Sequence, residues 1–124
     1  MSQQLKRVAI LYGGWSGERE VSLTSGRMIY EAFEKKGYPI VLIDVTLDIS
    51  SWMQAILDFK PDVVFMNALH GRWVEDGCIQ GLIEMLGLPY TASGVLSSAL
   101  AFDKDMSRQI FQTQGLPIAP GMVV

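Results

Sequence analysis

The sequence is nearly devoid of the side chains that build disulfides and metal cages: its 124 residues hold one cysteine, Cys78, and one histidine, His70. A lone cysteine excludes an internal disulfide and suits a reducing compartment, and together with a lone histidine it leaves no zinc constellation. Positive charge is also scarce, with 10 Lys and Arg against 13 Asp and Glu, a net charge of -3 and a pI near 5.0. The doubled cations Lys6-Arg7 and Lys35-Lys36 read as solvated ends of elements. A chain without a basic field is not expected to bind nucleic acid. Long apolar runs are missing too. The start, "MSQQLKRVAILYGG", places basic residues before an apolar run of about six residues, short of the roughly seven to fifteen that a signal peptide needs. No stretch approaches the length of a membrane span, so the expectation is a cytoplasmic protein with no membrane partner. No GxSxG elbow surrounds any serine, which argues against a serine hydrolase.

What is present is apolar and alternating. The hydrophobic fraction is 49% and the mean hydropathy +0.25, so some apolar surface is expected to meet a partner or a second domain. The length suits one domain with a real core. "RVAILY" at 7–12 is a continuous apolar run closed by Gly13-Gly14, as in a strand buried on both faces. "REVSLTSGRMIYEAFEKKG" follows as a helix, with Val21, Met28, Ala32 and Phe33 on one face and Gly37 at its end. "PIVLIDV" is a second strand, "SSWMQAILDFK" a helix begun by a serine cap, and "PDVVFMNAL" a third strand. "EDGCIQGLIEMLG" carries Ile79, Leu82, Ile83 and Leu86 at helical spacing; "LPYTAS" is briefly extended. Two helices broken near Asp103 and an extended "LPIAPGMVV" complete the chain. Strand alternating with helix predicts an α/β fold: a Rossmann-like open parallel sheet flanked by helices, residues 1–124 forming a single domain.

Ligands of such sheets gather at the carboxyl ends of the strands. There the first loop, "GGWSGERE", and the third, "NALHGRWVEDG", are rich in reactive side chains. The first resembles a phosphate loop in its glycines, but GGxxG is not the dinucleotide fingerprint. Glu18 and Glu20 can themselves occupy the helix N-terminus where an anion would sit. The loop is therefore suited to an ammonium group or a hydroxyl; alternatively Ser16 and Glu18 only cap the helix while Arg19 pairs locally. His70 can donate to a ligand carboxylate or hydroxyl, or be a loop histidine satisfied by the backbone. Glu75 and Asp76 read as first-turn acids of the next helix. Lys104 follows the N-cap candidate Asp103 and so puts a cation where the helix dipole disfavours it; a bound phosphate would reverse that, and a snorkelling surface lysine is the alternative.

Taken together, "LYGGWSGEREVSLTSG", "NALHGRWVEDGCIQGLIEMLGLPYTASGVLSSALAFDK" and "GLPIAPG" closely resemble the N-terminal domain of the D-alanine–D-alanine ligase family, bacterial cell-wall enzymes of the ATP-grasp class. The likeness runs from about residue 7 to the end. It implies ATP-dependent peptidoglycan precursor synthesis, in which the carboxylate of one D-alanine is phosphorylated and the amine of a second attacks the acyl phosphate. By the same resemblance Glu18 binds the ammonium of the first D-alanine, Val21 lies near its methyl group, His70 lies by the substrate carboxyl region, and Lys104 contacts the nucleotide phosphates. ATP and Mg2+ are the implied cofactors of the parent, and a homodimer its implied assembly.

Two departures qualify the match. The family usually has glycine where this chain has Val74; if that glycine uses a positive φ, valine would be strained there and the His70 loop would take another path. Family members also continue for roughly two more domains, carrying the ATP-grasp fold and the magnesium-binding acids. The expectation is thus an N-terminal substrate-binding domain, with the ATP-grasp domains absent and no metal site or catalysis of its own. The rival reading is a stand-alone module of the same fold that binds a small amino acid or nucleotide. A sister ligase using D-lactate or D-serine as second substrate is also open.

Overall fold

Val8, Ala9, Ile10 and Leu11 are each no more than 2% exposed, as expected of a run with no polar face to offer water. They form the central strand in a computed structural model that describes residues 5–121. Strand β1 (Val8–Gly13) lies between β2 (Ile40–Val45) and β3 (Val63–Phe65) in a parallel sheet of order β2-β1-β3. Val8 aligns with Ile40 on one side and with Val63 on the other. The helices are α1 (Arg19–Lys35), α2 (Ile49–Phe59), α3 (Cys78–Met85), α4 (Val95–Phe102) and α5 (Lys104–Thr113). This is the α/β architecture that the alternating pattern predicts.

Several details differ from the sequence expectation. α1 does not face the sheet through Val21 and Met28, which are 59% and 66% exposed; its buried residues are Ser22 and Gly26. Small residues let the helix approach closely: a Cβ on Gly26 would stand 2.5 Å from the Tyr12 Cβ. Phe33 completes the packing edge, with its ring 5.5 Å from that of Phe65. α2 is capped by Asp48, whose carboxylate accepts from the Ser51 N–H at 3.2 Å and the Ser50 hydroxyl at 2.7 Å, and not by a serine. β3 stops at Phe65 because the next N–H, of Met66, donates to the Thr91 hydroxyl at 3.0 Å and leaves the ladder. The "LPYTAS" segment adds a single parallel bridge, Tyr90 against Val64. Arg7 is exposed at the strand end as expected, and its guanidinium also donates to Phe59 O at 2.6 Å and lies 4.4 Å from the Phe59 ring, answering the free carbonyls at the end of α2.

The core gathers Leu11, Val45, Trp52, Ile56, Val64 and Ile83 between the sheet and the helices α2 and α3. The break between α4 and α5 falls at Asp103 as expected, its carboxylate accepting from the N–H groups of Asp105 and Met106 at 3.0 Å each. Residues 116–121 form no regular element, and 122–124 of the expected closing strand lie outside the described residues. No helix among the described residues is long and apolar enough to cross a membrane.

Candidate functional site

The loops after β1 and β3 meet at the carboxyl edge of the sheet, and their shape follows from a few residues. Gly13 has φ of +93°, and a Cβ there would fall 2.1 Å from an Asp44 carboxylate oxygen. Only glycine leaves room for what fills that space. The Arg19 guanidinium donates to both Asp44 oxygens, at 2.9 and 2.7 Å, and to Gly14 O at 2.8 Å. Arg19 thus pairs across the sheet edge with the end of β2 instead of locally. Ser22 is fully buried beneath, accepting from the Gly13 N–H at 2.8 Å and donating to Ala68 O.

A second bridge joins the two loops directly. The Ser16 hydroxyl donates to His70 O at 2.9 Å and accepts from the Glu18 N–H at 3.2 Å. Glu18 occupies the N-cap position of α1 without a side-chain capping bond. Among the described residues its exposed carboxylate has no hydrogen-bond or ion-pair partner, so it remains available to a ligand cation. Val21, one turn further, is likewise exposed.

The His70 ring is half-buried, with Nδ1 3.4 Å from Glu75 Oε1. Glu75 Oε2 in turn accepts from the Gly71 N–H at 2.6 Å. Glu75 and Asp76 are not first-turn acids, since α3 begins only at Cys78; both fold back to brace the loop. Asp76 accepts from the Trp73 N–H at 2.8 Å and the Cys78 N–H at 3.2 Å. Partial burial pushes the Asp76 carboxyl up, but these donors together with the Cys78 thiol outweigh it and hold the group below the usual carboxylate range. The same hydrogen bond to Asp76, followed by burial, raises the Cys78 thiol above its ordinary value.

The strain anticipated at Val74 falls elsewhere. The positive φ, +71°, belongs to Trp73, while Val74 is 2% exposed and turns its side chain towards Gly14, Cγ1 lying 3.7 Å from where a Cβ there would be. Valine serves as an apolar contact between the loops.

A cleft of about 470 Å³ opens between the His70 loop and α4, lined by His70, Glu75, Gln80, Ser93, Ser97 and Ser98 among others. Lys104 lies on an adjoining groove of about 600 Å³ with Arg108, Ile110 and Phe111, which shares Ser97 and Ala101 with the cleft. Glu18 and Val21 line neither. The sequence-identified residues are therefore grouped as Glu18 at the N-cap of α1 and Val21 in its first turn, next to the loop that Ser16 ties to that of His70, with Lys104 at the start of α5. Asp44 and Gln80 escaped the sequence reading, and Ser16 entered it only as a helix cap and not as the bridge to His70. Serine in a glycine turn, aspartate at a strand end and glutamine in an apolar helix each have common structural uses, so type alone does not single them out.

Residues 7–61 match the family described as the D-ala D-ala ligase N-terminus. The chain belongs to the D-alanine–D-alanine ligase family, as its N-terminal domain. It is 55% identical over 121 residues to the D-alanine–D-alanine ligase of Parvibaculum lavamentivorans, covering 98% of this chain and 38% of that protein. The ligase of a Ruegeria strain is 51% identical, with 98% and 39% covered. A solved structure of the D-alanine–D-alanine ligase from Bacillus anthracis complexed with ATP superposes with a TM-score of 0.76 at 34% identity, over 89% of this chain and 36% of that one. The chain thus spans about 38% of the length of the first of these relatives.

Proposed function

We propose that this chain supplies the first-substrate side of the active site of an ATP-dependent enzyme that joins two D-alanines for peptidoglycan. In this reaction the γ-phosphoryl of ATP passes to the carboxylate of the first D-alanine, giving an acyl phosphate and ADP. The amine of the second D-alanine then attacks that carbonyl and expels phosphate, forming the dipeptide. Within the reading, Glu18 holds the ammonium of the first D-alanine, Val21 flanks its methyl group, and His70, oriented by Glu75, lies by its carboxyl region. Lys104 meets the nucleotide phosphates, where a bound anion offsets a cation in the first turn of α5.

One observation carries this reading. The Glu18 carboxylate is exposed and without a partner among the described residues, on a loop bonded through Ser16 to the backbone of His70. A carboxylate at a helix N-terminus repels phosphate and suits an ammonium. Among the described residues no group of three or more His, Cys, Asp or Glu converges on a metal position. The magnesium of the proposed parent would be held by its other domains, so no step here runs through it. The exposed side chains Leu96, Phe102, Met106, Ile110 and Phe111 on α4 and α5 suit burial against those domains or a second subunit, and the proposal includes a homodimeric parent in the cytoplasm.

Phosphoryl transfer depends on several positioned charges at once, so this chain alone with ATP, magnesium and D-alanine should release no phosphate steadily. Substituted for the matching segment of the Parvibaculum lavamentivorans relative, it should support formation of D-alanyl-D-alanine. Steady turnover by the isolated chain, or a folded but inactive hybrid, would refute the proposal.

A further inference from the structure

Gln80 is the one buried side chain among the described residues with an unanswered polar atom: it is 3% exposed and its Oε1 has no hydrogen-bond partner. Its Nε2 donates weakly to the Ser98 hydroxyl at 3.4 Å, and that hydroxyl donates to Ser93 O at 3.2 Å. An acceptor buried without a donor is costly, and such groups in folded proteins ordinarily have a partner. Gln80 is among the residues that line the 470 Å³ cleft between the His70 loop and α4, a size in the range of small-molecule sites.

The lining defines what could answer it. Ser97 offers a hydroxyl and Asn67 an amide, Glu75 is already engaged by Gly71 and His70, and the walls include Leu69, Ala101 and Phe102. No lysine or arginine lines the cleft, which disfavours an anion. We propose that this cleft is a binding site for a small neutral molecule bearing a primary carboxamide on a short alkyl group, the amide N–H donating to Gln80 Oε1 and the amide oxygen accepting from the Ser97 hydroxyl. The alkyl group meets the apolar wall. The cleft shares His70 and Glu75 with the D-alanine reading but not Glu18, so a variant at Glu18 separates the two.

Isobutyramide is the probe, titrated into the isotope-labelled chain and followed by two-dimensional NMR, with isobutyrate as the anionic control. The amide should saturate, shifting the Gln80 side-chain NH2 and the Ser97 and Ser98 backbone signals while leaving Glu18 unmoved; isobutyrate should shift none of them. Gln80→Met, which keeps the shape and removes the acceptor, should weaken binding at least tenfold without lowering Tm. Ala101→Leu, on the exposed side of α4, should abolish binding by filling the cleft with Gln80 untouched. Glu18→Gln should leave the isobutyramide affinity unchanged. No saturable shift in the cleft, equal binding of isobutyrate, or affinity retained in Gln80→Met would overturn the proposal. So would a sharp fall in the Tm of Gln80→Met, which would make the glutamine a structural strut.

Discussion

The Ser16 hydroxyl and the His70 carbonyl oxygen lie 2.9 Å apart, joining two loops 54 residues distant in the chain. This hydrogen bond makes one surface of the segments that leave β1 and β3. Ser16→Ala should lower stability by about 1 kcal/mol, the usual net contribution of such a bond, and loosen both loops. Gly71→Ala should cost more, roughly 1–3 kcal/mol, because Gly71 has φ of +97° and a Cβ there would fall 2.6 Å from the Ser16 Cβ. Denaturant melts of both variants, with amide exchange at Glu18 and His70, measure the two effects; equal stability of Gly71→Ala and the wild type would contradict the loop geometry.

The close seat of α1 makes a second prediction. Gly26→Ala should destabilise by roughly 1–3 kcal/mol through overpacking, although alanine is the better helix former, because Tyr12 stands where the new methyl must go. A thermal melt in which Gly26→Ala is as stable as the wild type would show that α1 can ride up on the sheet.

Cys78 should be a sluggish nucleophile despite its exposure. Its hydrogen bond to Asp76 and then its burial raise the thiol, lowering the thiolate fraction at neutral pH. Asp76→Asn removes the carboxylate charge that opposes ionisation, so the pH profile of alkylation should move to lower pH in the variant. An unchanged profile would place the thiol outside the influence of Asp76.

Acid should weaken the fold partly through Asp48 and Asp76. Asp48 is lowered by its hydrogen bonds from Ser50 and Ser51, and Asp76 lies below its ordinary value for the reasons given above. A folded-state value below the unfolded one, about 3.9, means that the stabilisation is complete above that pH and is lost as pH falls through the lower folded value. Tm should therefore drop between about pH 4 and pH 2, where the unfolded carboxylates are protonated first, and drop less in Asp76→Asn. An identical acid limb in the two proteins would remove Asp76 from the account.

The alternation of apolar runs reveals the parallel sheet because a buried strand and an amphipathic helix leave different periodicities, and β1 and α3 show this directly. The contact face of α1 was illegible for a physical reason: it packs through Ser22 and Gly26, and closeness of backbone leaves no hydrophobic stripe to read. In the candidate site, the electrostatic argument singles out Glu18 and Glu20 as candidates from their place after a glycine turn, and the histidine from its loop. The partners that shape the loops are set by contacts distant in sequence, Arg19 with Asp44 and Ser16 with His70. Residue type cannot announce such pairs. The local register of the His70 loop was also hidden, since the positive φ sits at Trp73 and not at Val74.

The most direct test of the central claim concerns the charge on Glu18. In the hybrid carrying this segment within the Parvibaculum lavamentivorans ligase, the apparent KM for the first D-alanine should be measured for the parent sequence and for Glu18→Gln at matched ATP. Loss of a charge-assisted hydrogen bond to an ammonium should raise it about tenfold to a hundredfold, with the KM for ATP little changed. An unchanged KM for D-alanine, or a change confined to ATP, would contradict the assignment of this carboxylate to a substrate nitrogen.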